Sequence, residues 1–345
     1  MTLDTETAEL NRVFVTTSRQ PTEAGFFGTT RGGSLHFTHF DISIPPVRNV
    51  GEITYPKRTP DPTHDFLTSE WSDYPDPVVW RNAINERLSQ LPPDQREVAI
   101  YVHGFNNTFA EGLYRAAQIS EDYQIPGIMA HYSWPSAGNP LTYAYDRDSV
   151  LYSRDGLEAM LRELSNVAAD RIIIVAHSMG SLLTMETLRQ IDRRDPGWAR
   201  RNLHGVVLMS PDIDPAIFKA QARDIAELPD QFIILTSDKD RALQLSARLT
   251  GQTERLGNVG NVDELAEFNI TVVNISEFST GGGHMTGLTS PALIGILSQA
   301  RELDASIQGG NSGRVGILPG TVLTVQNATE VILSPGSGSG GGGGR

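Results

Sequence analysis

The 345-residue chain contains no cysteine, which excludes a disulfide framework, a cysteine-ligated metal and a thiol nucleophile together. It has no run of about twenty apolar residues, so no segment reads as a membrane-spanning helix. Basic residues are scarce: 28 Lys and Arg against 41 Asp and Glu give a formal net charge of −13, and no basic run stands out. Such a surface repels a polyphosphate backbone at long range and argues against a nucleic-acid partner. The opening segment Met1-Thr2-Leu3-Asp4-Thr5-Glu6 lacks the basic and apolar stretches of a secretory signal, so the chain reads as cytoplasmic. What remains, 39% hydrophobic and 20% charged residues, is ordinary globular composition. There is material for one large α/β domain or two small ones.

Strand and helix signals then alternate along the chain. Arg12–Thr17 and Leu35–Ile44 are β-rich neighbours, expected to start the sheet in antiparallel fashion. Pro45 to Pro77 is Pro-rich and irregular, too long for a simple connection, and is expected to wrap the surface or roof a site. A helix fits Pro77–Leu91 before Pro92-Pro93. Strands are expected at Val98–Val102, Gly127–Trp134, Arg171–Val175, Leu203–Met209, Gln231–Thr236 and Ile270–Ile275. Helices are expected at Thr108–Tyr123, Tyr143–Val167, Met179–Ile191, Pro215–Ala226, Arg241–Leu249 and Leu288–Leu303. Repeated units of this length mean a mostly parallel sheet covered on both faces. Residues 1–11 read as a flexible N-terminus, 12–306 as the domain, 307–334 as a short β-like extension and 335–345 as a flexible Gly/Ser-rich tail.

The run Ile172-Ile173-Ile174-Val175 leads directly into Ala176-His177-Ser178-Met179-Gly180, and a helical segment follows at once. A serine between small residues at a strand-to-helix turn is a nucleophile elbow, where the strained turn lifts the hydroxyl clear of the sheet. Ala176 stands where the usual pattern has glycine; the extra methyl is tolerable if the neighbouring strand presents a small residue.

An activated serine needs a base and a group to orient it, following in the order acid, then histidine. His284, in Thr280-Gly281-Gly282-Gly283-His284, lies in a loop with the backbone freedom to cross the sheet edge. The competing reading is a partnerless surface histidine. For the acid, Asp240 is favoured, with Asp238 and Asp212 as alternatives; Asp240 also reads as a helix N-cap. Asp214, before Pro215, reads as structural. Oxyanion donors are expected from the backbone N–H groups of Met179 and Phe105, with Gly104 letting the chain turn inward. His103, Gly104, Asn106 and Trp134 are expected beside the substrate, although Trp134 fits the core equally well. Asn107 with Thr108 would cap the next helix. His177 is expected to pack or bond locally rather than act as base. With no carboxylate at ligand spacing, neither metal nor cofactor is expected.

HGFNN at 103–107, SWPSAG at 133–138, AHSMGS at 176–181, SPDID at 210–214, SDKDRAL at 237–243 and GGH at 282–284 occur in this order. Together with Phe27-Gly28 and Pro45-Pro46 they resemble a mostly bacterial branch of the α/β-hydrolase superfamily commonly labelled a domain of unknown function. The resemblance spans Val13 to Leu303 and leaves the Gly-rich tail outside. It implies a mostly parallel sheet of about eight strands with helices on both faces, Ser178 as nucleophile, His284 as base, and Asp240 at the D-R-A-L position. Some relatives carry a secretory or lipoprotein leader. The expected function is a serine hydrolase acting on a small carboxylic ester through an acyl-enzyme, with thioesterase or amidase chemistry on the same residues as variants. A non-catalytic binding module on the same fold is the competing class.

Overall fold

The computed structural model describes residues 9–23, 26–252, 254–259, 262–279, 282–298, 320–325 and 328–333. In chain order the elements are β1 (Glu9–Pro21), β2 (Phe27–Ile44), β3 (Leu67–Tyr74), α1 (Pro77–Ser89), β4 (Glu97–Val102), α2 (Phe109–Asp122), β5 (Ile128–Ser133) and α3 (Tyr143–Leu164). They continue with β6 (Arg171–His177), α4 (Met179–Asp192), α5 (Trp198–Asn202), β7 (Gly205–Met209), α6 (Pro215–Asp224) and β8 (Gln231–Thr236). The last are α7 (Arg241–Leu249), β9 (Ile270–Asn274), α8 (Thr286–Thr289), β10 (Gly320–Val325) and β11 (Ala328–Leu333). A further helical stretch occupies 291–298. Among the described residues no helix is long and apolar enough to cross a membrane.

Among the described residues all eleven strands form one sheet in the order β10-β11-β9-β8-β7-β6-β4-β5-β1-β2-β3. From β11 to β1 every neighbouring pair is parallel; β2 against β1, β3 against β2 and β10 against β11 are antiparallel. The parallel core thus matches the expected eight strands, while the whole sheet is larger. The expected irregular stretch 45–77 contains β3, a mostly exposed edge strand whose polar sequence LTSEWSDY carries no apolar run. The extension contributes β11, which adds parallel to β9 and buries Ala328, Val331 and Leu333. Residues 9–11 belong to β1, and the expected final helix is broken at Ser290-Pro291. Residues 1–8, 299–319 and 334–345, including the Gly/Ser tail, lie outside the described residues.

Alternation along the central strands explains the two layers. Val98, Ile100 and Val102 of β4 pack with Trp80, Leu157, Leu183 and Phe218, so α1, α3, α4 and α6 cover that face. Ala99 and Tyr101 pack with Leu113, Ala117, Leu288 and Leu293, so α2 and the segment after β9 cover the other. β4 and β6 are adjacent and parallel, yet α2 follows one and α4 the other on opposite faces. Their carboxyl ends therefore flank a crevice, where open α/β sheets bind ligands.

Candidate active site

Ser178 follows β6 with φ of 52° and ψ of −122°, a conformation an L-residue enters only under strain. The main chain holds it there: its N–H donates to Met209 O at 2.9 Å, and its carbonyl accepts from Ser181 N at 3.0 Å and Asp212 N at 3.2 Å. Gly180 is needed for a close approach, since a Cβ there would lie 2.4 Å from His103 O and 2.6 Å from Val102 O. Gly104 presses on the elbow from the other side; its Cβ would meet His177 Nδ1 at 2.8 Å and Ser178 Cβ at 2.9 Å. The Ala176 methyl is accommodated differently from expectation. It enters the core in register with Val102 and Leu208, neither of them small.

His284 Nδ1 lies 2.8 Å from Asp240 Oδ2, the imidazole one-fifth exposed and the carboxylate buried. Gly283 makes this meeting possible. Its φ is +80°, and a Cβ would lie 2.6 Å from Lys239 O, so only glycine lets the chain lie this close to residues 239–240. Arg241 N donates to Gly282 O at 3.0 Å and closes the contact. Gly281 lies outside the described residues.

The other two acids take partners other than His284, although Asp212 borders the cavity that Ser178 and His284 share. Asp238 is exposed. Asp212 is buried in an ion pair with the equally buried Arg255 (3.1 Å) and accepts from Ser246 Oγ at 2.6 Å and Tyr143 OH at 2.9 Å. Asp214 caps α6 through Ala216 N and Ile217 N, as expected. His177 also bonds locally: its Nε2 lies 3.2 Å from His284 O, and its ring stands 4.7 Å from the His284 ring. Burial holds the His177 imidazole neutral, well below its ordinary pKa.

In the loop after β4, Thr108 caps α2 with a full capping box, leaving Asn107 for another task. Asn107 Nδ2 donates to Phe105 O at 2.9 Å and Gly104 O at 3.3 Å. Because the N–H of a planar trans peptide points opposite its C=O, this fixes the direction of the Phe105 N–H. Asn106 takes φ of 57°, and its N–H faces Asp146 Oδ2 at 3.4 Å. Met179 N–H heads α4 with no carbonyl one turn earlier in the helix to receive it.

Sequence reasoning missed the group that anchors this loop. Fully buried Arg19 donates to Ser133 Oγ, Gly28 O, Ser136 O and Asn107 O at 2.8–3.0 Å, tying β1, β5 and the loop together. Asp146 accepts from Ser136 Oγ and Ala137 N beside it, and burial raises its pKa. His103 and Trp134, expected beside the substrate, are instead both fully buried. Their rings stack at 4.8 Å, and Trp134 Nε1 donates to His103 O. Gly104 likewise packs on the elbow. Of the four residues expected to contact substrate, Asn106 lines the cavity.

That cavity, about 430 Å³, is bordered by Ser178, His177, His284, Phe105 and Asn106 at its base. Tyr55 contributes from the 45–66 strap, which is clamped to α2 by Arg48–Asp122 (2.5 Å) and Gly51 N–Asp122 Oδ2 (2.7 Å). Pro140 and Tyr143 border it from the connection before α3, and α7 supplies a further wall. Among the described residues no group of three or more His, Asp or Glu side chains gathers where it could hold a metal ion.

A mostly parallel sheet with helices on both faces and a strained serine turn at its carboxyl edge defines the α/β-hydrolase class. The chain belongs to the family described as alpha/beta hydrolase of unknown function (DUF900), whose model matches residues 80–301, more than half of it. Among solved structures it is similar to Est1E from Butyrivibrio proteoclasticus, at 12% identity and TM-score 0.37, covering 64% of this chain and 92% of that one. An acylaminoacyl peptidase from Pyrococcus horikoshii aligns at 11% identity and TM-score 0.38, over 90% of this chain and 44% of that one. A monoacylglycerol lipase from Paleococcus ferrophilus aligns at 15% identity and TM-score 0.26, over 52% and 73%. Among curated proteins none matches the sequence.

Proposed function

We propose that the protein is a serine hydrolase cleaving carboxylic esters through an acyl-enzyme. The observation that carries this reading is the 2.8 Å pairing of His284 Nδ1 with buried Asp240, on an imidazole that shares a cavity with Ser178. With Nδ1–H donated to Asp240, Nε2 is left as the acceptor, the tautomer a general base requires. Ser178 Oγ attacks the ester carbon, its proton passes to His284 Nε2, and the N–H groups of Phe105 and Met179 receive the charge on the carbonyl oxygen. As the C–O bond to the alcohol breaks, His284 returns the proton to the departing oxygen. Water, deprotonated by the same nitrogen, then releases the acid and restores Ser178. An alkoxide leaving group demands least of such a site, which favours esters over amides.

A fluorophosphonate probe tests this directly. The intact protein is expected to gain one adduct mass, and Ser178→Ala to lose both the adduct and p-nitrophenyl butyrate turnover, kcat falling by on the order of a thousandfold or more. Absence of an adduct while a known serine esterase labels in parallel would leave a non-catalytic binding module as the better account.

A further inference from the structure

The cavity beside Ser178 has two unlike walls. One is α7, where Ala242, Leu245, Ser246 and Leu249 recur at i, i+3, i+4 and i+7 and share one face. Such a stripe on a surface helix is normally turned to the core. Here Leu243, Ser246 and Ala247 are buried, Leu243 also bordering the cavity, while Leu245 is 58% and Leu249 65% exposed. Ser246 adds no free polarity to the stripe, because its hydroxyl is donated to Asp212. Glu111, Arg115, Asn107 and Tyr55, from other segments, border the same cavity and bring charge and hydrogen-bonding groups to it. Two exposed leucines running out from a nucleophile toward solvent contribute little to folding, and their apolar surface awaits a cover.

We infer, on the serine hydrolase reading, that α7 is the acyl wall of the site. The substrate is an ester of an unbranched aliphatic acid whose chain lies along Ala242, Leu245 and Leu249, its polar alcohol portion set toward Glu111 and Arg115. Seven residues of helix rise cover roughly 10 Å, which matches an acyl chain of about eight carbons before it emerges into water. A cavity of about 430 Å³ lies within the range that encloses a small ligand.

The test is a series of p-nitrophenyl esters from acetate to dodecanoate, run with fluorophosphonate labelling on the same preparation. One-sided burial of each methylene should raise kcat/KM about twofold per carbon, levelling off near eight carbons. The double variant Leu245→Gln/Leu249→Gln alters exposed positions and should fold. It should lower octanoate turnover by roughly tenfold and leave acetate turnover within about twofold. Acetate esters of longer alcohols should show no comparable gain. A labelled, active protein with a flat acyl profile, or a double variant with an unchanged octanoate-to-acetate ratio, overturns the inference and leaves the hydrolase reading standing. So does a profile that follows alcohol length instead, or a double variant that changes only the oligomeric state, which would make this face a contact between copies. Failure to label at all removes the hydrolase reading, and this inference with it.

Discussion

Asp240 divides its carboxylate between two donors: Oδ1 accepts the Leu243 N–H at 3.0 Å, starting α7, and Oδ2 faces His284 Nδ1 at 2.8 Å. One residue therefore couples the helix that borders the cavity to the imidazole that reaches into it. Asp240→Asn retains a capping oxygen but reverses the donor pattern toward His284. Ester turnover should fall by about 10³–10⁴-fold with little change in Tm. Asp240→Ala loses the cap as well and should cost about 1 kcal/mol more in a urea titration. Asp238→Asn, at an exposed position, should match wild type in both assays.

Asp212 should behave in the opposite sense. Its buried partner Arg255 would be left uncompensated in Asp212→Ala, a loss of about 3–5 kcal/mol measurable by chemical denaturation. In whatever fraction remains folded, the His284–Asp240 pair is untouched. Active-site titration with the fluorophosphonate should then return near-normal turnover per labelled molecule. Loss of turnover per site comparable to Asp240→Asn would transfer the acid role to Asp212.

Gly283→Ala probes the loop that delivers the histidine. Its positive φ and the 2.6 Å approach to Lys239 O leave no space for a methyl, so the loop must withdraw from residues 239–240. A stability loss of about 1–3 kcal/mol is expected in a urea titration, together with a fall in both kcat for p-nitrophenyl butyrate and the rate of fluorophosphonate labelling. Gly282→Ala, where a Cβ meets nothing within 4 Å, is the control and should be nearly silent.

Stability should fall in mild acid. Burial holds His103 and His177 well below the ordinary histidine range and His131 down to about 3. In the unfolded chain all three take up protons near 6.5. Below that pH the unfolded state binds more protons, so stability is intact above about 6.5 and is lost as pH falls toward the folded values, by about 1.4 kcal/mol per pH unit for each group. Urea midpoints at pH 7.5 and 5.5 should differ accordingly, and His131→Gln should remove one proton's share of the slope. Equal midpoints would contradict neutral burial.

The strained turn at Ser178 and the meeting of Asp240 with His284 were foreshadowed by short local patterns, although the sequence left Asp238 and Asp212 open beside Asp240. Asp240 carried two readings, N-cap and partner of the histidine; Oδ1 accepts from Leu243 N at the start of α7 and Oδ2 faces His284 Nδ1. His103 is buried rather than beside the cavity, and Trp134 takes the core position that the sequence allowed equally, because motif position does not specify side-chain direction. Arg19 gave no signal, since a lone arginine in a β-rich segment reads as solvent-facing until Asn107, Ser133 and Ser136 are brought around it from 88, 114 and 117 residues away. The break before the last helix was readable: Ser290-Pro291 is an N-cap followed by proline at the first helical position. The β character of β11 was also readable; its joining the main sheet was not, because its partner β9 lies more than fifty residues earlier.

The ends of β6, β8 and β9 present Ser178, Asp240 and His284, and these strands are laced together through β7 by an unbroken parallel ladder. The spacing of the strand ends is thus written in main-chain bonds, and the loops beyond β8 and β9, with Gly283, bring Asp240 and His284 together. The strap at 45–66, the connection at 135–142 and the outward stripe of α7 hang outside that lattice. Substitutions in all three can reshape the cavity without breaking a main-chain bond of that ladder.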